Sequence, residues 1–342
     1  MAKEIVLDPD GDVRIVLTQR EPHTVAVISS KILSLASPVF NILLNGPFKE
    51  AADLKEKRSS SELYELNLPE DDPEAVIILL RLVHFKAIES IPLDHMPLSL
   101  ERLAFLCDKY ECTEPFKFCG TVWLRDWLEK YPEGLLFPAT LAIDDVCRLL
   151  VFAYVADLPN EFMALSWRLV MFHKGPIVGQ HTQAVPLIDH PLLKQDVAQQ
   201  IDAKRAENCA AFHNSVMAPM NVPWLTLDAG CFCAAKAIGV YIAKLRAGGI
   251  MLDDLEFSNH TFHSLLEQHV SPSFREHSCS RMNCKCKSDL VHVSAADYST
   301  MSMIDTWCSS EFWKETLICL DCIKTGGVSK AQEKCRVRHG KS

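Results

Sequence analysis

Two short helical patterns lie in tandem between residues 30 and 45, directly behind a run of β-patterned sequence, and this pairing limits the fold more than any other feature. Ser30 reads as the N-cap of a helix carrying Ile32, Leu33, Leu35 and Ala36. Ser37 then reads as a second N-cap with Pro38 behind it, a position where the missing N–H costs nothing and the fixed φ suits a helix. Val39, Phe40, Leu43 and Leu44 recur at spacings that make one apolar stripe, and Asn45-Gly-Pro47 ends it. The expectation is a helical hairpin inserted straight after a β-hairpin.

The β-hairpin is read from Ile5-Val-Leu7 and Val13-Arg-Ile-Val-Leu17, which flank the turn sequence Asp8-Pro-Asp-Gly-Asp12; residues 24–28 read as a third strand. Residues 62–66 give a fourth, short strand. Asp72 with Pro73 behind it is a helix start, followed by Ala75, Val76, Leu79, Leu80 and Val83 at three- and four-residue spacing. Ser99 reads as the cap of a further helix through Leu103, Leu106 and Cys107, and residues 115–130 as the last helix before Pro132, with Val122, Trp123 and Trp127. The expected order is strands, paired helices, strand, then three helices, an α+β fold.

That order, with Asp10-Gly-Asp-Val13, Ser30-Lys-Ile-Leu33, Ala36-Ser-Pro-Val-Phe40, Pro47-Phe-Lys-Glu50, Leu68-Pro-Glu-Asp-Asp-Pro73 and Asp108-Lys-Tyr110, resembles the BTB/POZ domains abundant in filamentous fungi. The resemblance covers residues 1–130 and implies a recognition module rather than a catalyst. Two departures stand out. Only a few residues precede Ile5, so the strand-exchanged dimer of the familiar animal domains is not implied, and Ser30 stands where the family usually has His before Lys31. By resemblance, Asp12 and Lys31 match the acidic and basic residues that often form a charged pocket; the other reading is two unrelated surface charges. In BTB adaptors of cullin-type ubiquitin ligases a hydrophobic-x-Glu element after the paired helices touches the scaffold, and Phe48-Lys-Glu50 matches it. The plainer reading has Phe48 anchoring a loop and Glu50 solvated.

The chain has 342 residues, 48% hydrophobic and 23% charged, enough for several domains with ordinary cores. Residues 131–275 read as an all-α domain, with stripes at Leu193, Val197, Ile201, Cys209, Phe212 and Val216 and at Ala234, Ile238, Ile242 and Leu245. Residues 174–191 read as a loop. Residues 276–342 read as a cysteine-rich helical segment. Met1-Ala-Lys-Glu4 leads into a strand rather than an apolar signal, and Asp228 and Lys236 interrupt the most apolar stretch, so an intracellular protein, cytoplasmic or nuclear and without a membrane span, is expected. Residues 1–130 carry 15 Lys and Arg against 22 Asp and Glu, which argues against a nucleic-acid groove there.

Seven of the 14 cysteines fall in the last 64 residues. In an intracellular chain, metal ligation or buried thiols explain them better than disulfides. Cys319-x2-Cys322 and Cys335-x3-His339 have zinc spacing, each pair on one helical face, so two adjacent helices could offer four donors. The weaker set His277, Cys279, Cys284 and Cys286, with Cys308 or His292, fits no common site. The chain lacks G-x-S-x-G, P-loop, dinucleotide and H-E-x-x-H signatures, and no enzyme is expected. Two functions remain: a protein–protein interaction module that docks a cullin scaffold and an unknown client, or a non-ligase oligomerisation scaffold, nuclear by expectation, with a metal-stabilised C-terminus and a homo-oligomeric state.

Overall fold

The computed structural model describes residues 3–88, 90–130, 142–178, 187–194, 196–217, 257–268, 318–325 and 335–337, with nine positions between 239 and 253. The fold is mixed α+β. The chain divides into two compact units, Met1–Leu165 with Asp189–Lys194, and Ser166–Ile188 with Gln195–Ser342. The first unit therefore runs past residue 130, the end of the sequence-read domain, to include α7 (Ile143–Val155) and the start of α8 (Pro159–Phe172).

The first unit holds one four-stranded sheet of β1 (Lys3–Val6), β2 (Val13–Leu17), β3 (Thr24–Ile28) and β4 (Tyr64–Asn67), in the order β1-β3-β2-β4. β2 alternates strictly, with Val13, Ile15 and Leu17 fully buried, as the two-residue period of a strand requires. The expected β1–β2 hairpin does not form. β3 lies between them, parallel to β1 with Ile5 opposite Ala26 and antiparallel to β2 with Ile15 opposite Ala26. The turn at 8–12 is instead a crossover, where Gly11 passes so close to Ile28 that a Cβ would meet its carbonyl oxygen at 2.6 Å.

α1 (Ser30–Ala36) and α2 (Pro38–Asn45) form the tandem pair. Ser37 ends one and caps the other: its Oγ accepts from Phe40 N at 3.1 Å and donates to the Tyr110 carbonyl at 2.5 Å. The cap of α1 is Ser29, not Ser30; Ser30 lies inside the helix, and its hydroxyl bonds Asp12. α3 (Lys49–Ser59) is a helix that the sequence reading lacked, since it buries only Leu54. α4 (Pro73–Val83) starts as read, with Asp72 Oδ1 accepting from Glu74 N and Ala75 N. α5 (Met96–Lys109) starts three residues before Ser99, so that serine is no cap. α6 (Thr113–Lys130) completes the set and packs on α4, α5 and α7; Gly120 permits the approach, for a Cβ there would stand 2.9 Å from Phe152.

The core of this unit joins helices distant in sequence. Phe40 stacks on Tyr110, centroids 4.2 Å apart and planes within 15°, and the Tyr110 hydroxyl donates to the buried Asp71 at 2.5 Å. Lys109 reaches the other oxygen of Asp71 at 2.7 Å.

The second unit is organised by α9 (Asp196–Met217), whose Val197, Ile201, Cys209, Phe212 and Val216 are buried. Phe212 packs with Phe257 and with Phe262 of α10 (Phe262–Gln268). The buried Arg205 donates to the carbonyls of Phe257 and His260, tying α9 to that turn. Residues 234 and 238 of the second sequence stripe lie outside the described residues, whereas Leu245 is buried.

Candidate interaction surface and cysteine cluster

The three most exposed large apolar residues of the first unit, Leu35, Phe85 and Phe118, line one groove. α1, the end of α4 and the start of α6 enclose a groove of about 840 Å³ whose walls include Ile32, Leu35, Leu82, Phe85, Phe118 and Trp123, with Lys86 its charged liner. Leu35, Phe85 and Phe118 are 81%, 94% and 79% exposed. Contiguous exposure of this kind marks a site of association on a folded protein.

Phe85 owes its position to the way α4 ends. Phe85 N donates to Leu82 O and Lys86 N to Arg81 O, the paired bonds of a helix end whose next residue is left-handed. That residue is usually glycine, yet here it is Phe85 at φ +54°. The left-handed backbone costs a side-chain residue about 1–2 kcal/mol. Beside it the buried His84 donates from Nδ1 to Leu80 O at 2.9 Å and accepts at Nε2 from Ser29 N at 3.1 Å, linking the end of α4 to the cap of α1. Burial depresses the pKa of His84, so the neutral ring that this pair of bonds needs is the favoured form. Sequence periodicity missed this face, though apolar residues off the buried stripes, such as Leu35 and Phe118, were its available signal.

Phe48 and Glu50 sit at the start of α3. Phe48 occupies the N-cap, 50% exposed, and makes no side-chain cap bond; Glu50 lies in the first turn, half-buried, where its charge helps to raise the pKa of Tyr64 after the larger effect of burial. The helix packs on α2 and β4.

Among the described residues no ion pair joins Asp12 to Lys31. Asp12 accepts from Ser30 N at 2.8 Å and Ser30 Oγ at 2.7 Å, and pairs with Arg58 of α3 at 2.7 Å, while Lys31 is exposed. Burial works against the Asp12 carboxylate, but these bonds outweigh it and hold the pKa below the usual range. The expected charged pocket is thus a tie between β2, α1 and α3, with Arg58 in the role read for Lys31.

In the second unit Cys319, Cys322 and Cys335 converge, their sulfurs all within 4.8 Å of one another; among the described residues no other such group of three His, Cys, Asp or Glu forms. Three close thiols of this kind could hold a metal ion. Cys319 precedes α11 (Leu320–Thr325) and Cys322 lies in it, so one helical turn aims both the same way. Cys335 comes from a bend at 335–337 rather than from the helix read for it, and its sulfur lies 3.6 Å from that of Cys322. Burial, reinforced by Cys335 and Cys319, pushes the Cys322 thiol up to about 12, and burial raises Cys335 as well. A cation at the centre would reverse that balance, because a coordinated thiol gives up its proton. His339 and the cluster at 277, 279, 284, 286, 292 and 308 lie outside the described residues.

No helix among the described residues is long and apolar enough to cross a membrane. No protein-family model matches this chain, and no curated protein matches it.

Proposed function

We propose that residues 3–130 form a BTB/POZ-like interaction module and that the chain acts by binding proteins rather than by catalysis. The observation that carries this reading is the open apolar groove with Leu35, Phe85 and Phe118 on its rim. Its occupant is a second copy of the same face. A two-fold interface needs one surface to supply both projection and receptacle, and here the projecting Phe85 stands at the edge of the groove that would receive it. The strong acidic excess elsewhere in residues 1–130 makes this nearly charge-free patch the favourable meeting point. Sedimentation velocity over a range of concentrations tests the reading: the wild-type chain should associate, and Leu35→Glu with Phe118→Glu should sediment as a monomer. A wild-type chain that stays monomeric at every concentration would remove the homo-oligomer.

A second reading makes the module an adaptor that docks a cullin-type ubiquitin ligase scaffold and carries an unknown client. It is favoured by the half-exposed Phe48 with Glu50 in the next turn, matching the hydrophobic-x-Glu element of such adaptors. Phe48→Ala with Glu50→Lys should abolish binding to a purified cullin N-terminal domain without lowering the unfolding midpoint. Equal binding by that variant would sink the adaptor role.

Zinc is the proposed metal for the C-terminal thiols, held by Cys319, Cys322, Cys335 and His339. It would act as a structural staple for that segment.

A further inference from the structure

Cys335 reaches the other two thiols from ten residues beyond the end of α11, and the residue next to it is ion-paired to α11. Asp321 lies between Cys319 and Cys322, and Arg336 directly follows Cys335. The Arg336 backbone N–H donates to Asp321 Oδ2 at 2.8 Å, while its guanidinium donates to Oδ1 at 2.6 Å from one terminal nitrogen and 3.1 Å from Nε. One carboxylate thus fixes both the backbone and the side chain of the residue next to the third thiol. Val337, buried one residue further on, seats the far side of the bend.

We propose that Cys319, Cys322 and Cys335 form a three-thiolate site for a zinc-class divalent cation, with Asp321 and Arg336 as the positioning pair that closes it. This rests on the zinc reading above and adds to it the residues that set affinity without touching the metal. The geometry suits the ion. A tetrahedral cation about 2.3 Å from each sulfur separates the sulfurs by about 3.8 Å. The observed spacing, 3.6 Å between Cys322 and Cys335 and at most 4.8 Å for all three, brackets that value. A disulfide would use two of these thiols and strand the third, whereas a soft cation uses all of them. The fourth position is left to a nitrogen or oxygen donor.

Arg336 is the neighbour of a ligand and not itself one, so its loss should loosen the third ligand rather than delete it. Groups that orient metal ligands typically change affinity by about 10–100-fold when removed.

The test uses the full-length chain, reduced and under anaerobic conditions, titrated with Co²⁺ as a spectroscopic probe and then with Zn²⁺ against a chromophoric chelator. The wild type should bind one equivalent with a thiolate-to-cobalt charge-transfer band, and Cys322→Ser should lose that band. Arg336→Ala should bind with about 10–100-fold lower affinity while keeping the band, and Arg336→Lys should recover part of the loss because it restores the charge without the fork. A wild type that takes up no cobalt, or a Cys322→Ser chain that keeps the band, would overturn the zinc reading itself. Wild-type binding with Arg336→Ala equally tight would overturn the positioning role alone.

Discussion

Tyr110 donates its hydroxyl to the buried carboxylate of Asp71 at 2.5 Å, joining the end of α5 to the residue before the cap of α4. Two sequence phrases read separately, Leu68-Pro-Glu-Asp-Asp-Pro73 and Asp108-Lys-Tyr110, therefore meet as one tie. Its ring closes on Phe40 at the same time, so the sheet-side helical pair and the later helices share a single aromatic anchor. Tyr110→Phe keeps the stack and leaves the Asp71 carboxylate short of a donor. It should lower stability by about 1–3 kcal/mol, read from the denaturant midpoint at unchanged m. An unaltered midpoint would show that Lys109 alone suffices for Asp71.

Phe40→Ala removes the ring from a fully enclosed site. The expected loss is about 3–5 kcal/mol, which would unfold much of a marginal domain. A midpoint within error of the wild type would contradict the packing described for α2.

His84 should make stability fall in mild acid. Its folded pKa lies below the ordinary value of 6.5, so the unfolded chain binds the proton first. Its contribution is therefore fully present above about pH 6.5 and is lost as the pH falls below it toward the folded pKa. Protonation also turns Nε2 into a donor facing the Ser29 N–H. Unfolding midpoints measured from about pH 7 to about pH 5 should drop less steeply for His84→Gln than for the wild type. Identical slopes would assign the acid response to other groups.

Helices with a cap and an apolar stripe were legible. Ser37-Pro38 and Asp72-Pro73 start their helices as read, because a local hydrogen bond and a fixed φ decide both. What local pattern does not carry is pairing and exposure. β1 and β2 look like the arms of a hairpin, but β3 inserts between them, a long-range choice that no turn residue encodes. α3 buries Leu54 alone, so it has no stripe to find, and its Arg58 pairs with Asp12 where Lys31 was read. Cys319, Cys322 and Cys335 followed from their spacing, whereas the bend that carries Cys335, with Arg336 paired to Asp321 across fifteen residues, is a long-range feature that spacing does not encode. The groove was missed because periodicity alone does not tell which apolar residue faces solvent, as Leu35 and Phe85 do.

Metal removal should act locally. If zinc binding contributes folding free energy to the C-terminal segment, a chelator should speed amide exchange at Ile323 and Val337 while leaving the amides of α4 and α5 protected. Equal loss of protection in both units, or none in either, would contradict a structural metal confined to these thiols.

The apolar face is tested most directly by the self-association constant of Phe85→Gly, measured by sedimentation equilibrium. Glycine suits the left-handed backbone at φ +54° better than phenylalanine does, so this variant should keep the wild-type unfolding midpoint or exceed it by up to about 1 kcal/mol. A stable, well-folded chain that has lost the dimer is the expected result, since the projection is gone while Ile32, Leu35, Phe118 and Trp123 still line the groove. A Phe85→Gly protein that dimerises as tightly as the wild type would mean that this face is not where two copies meet.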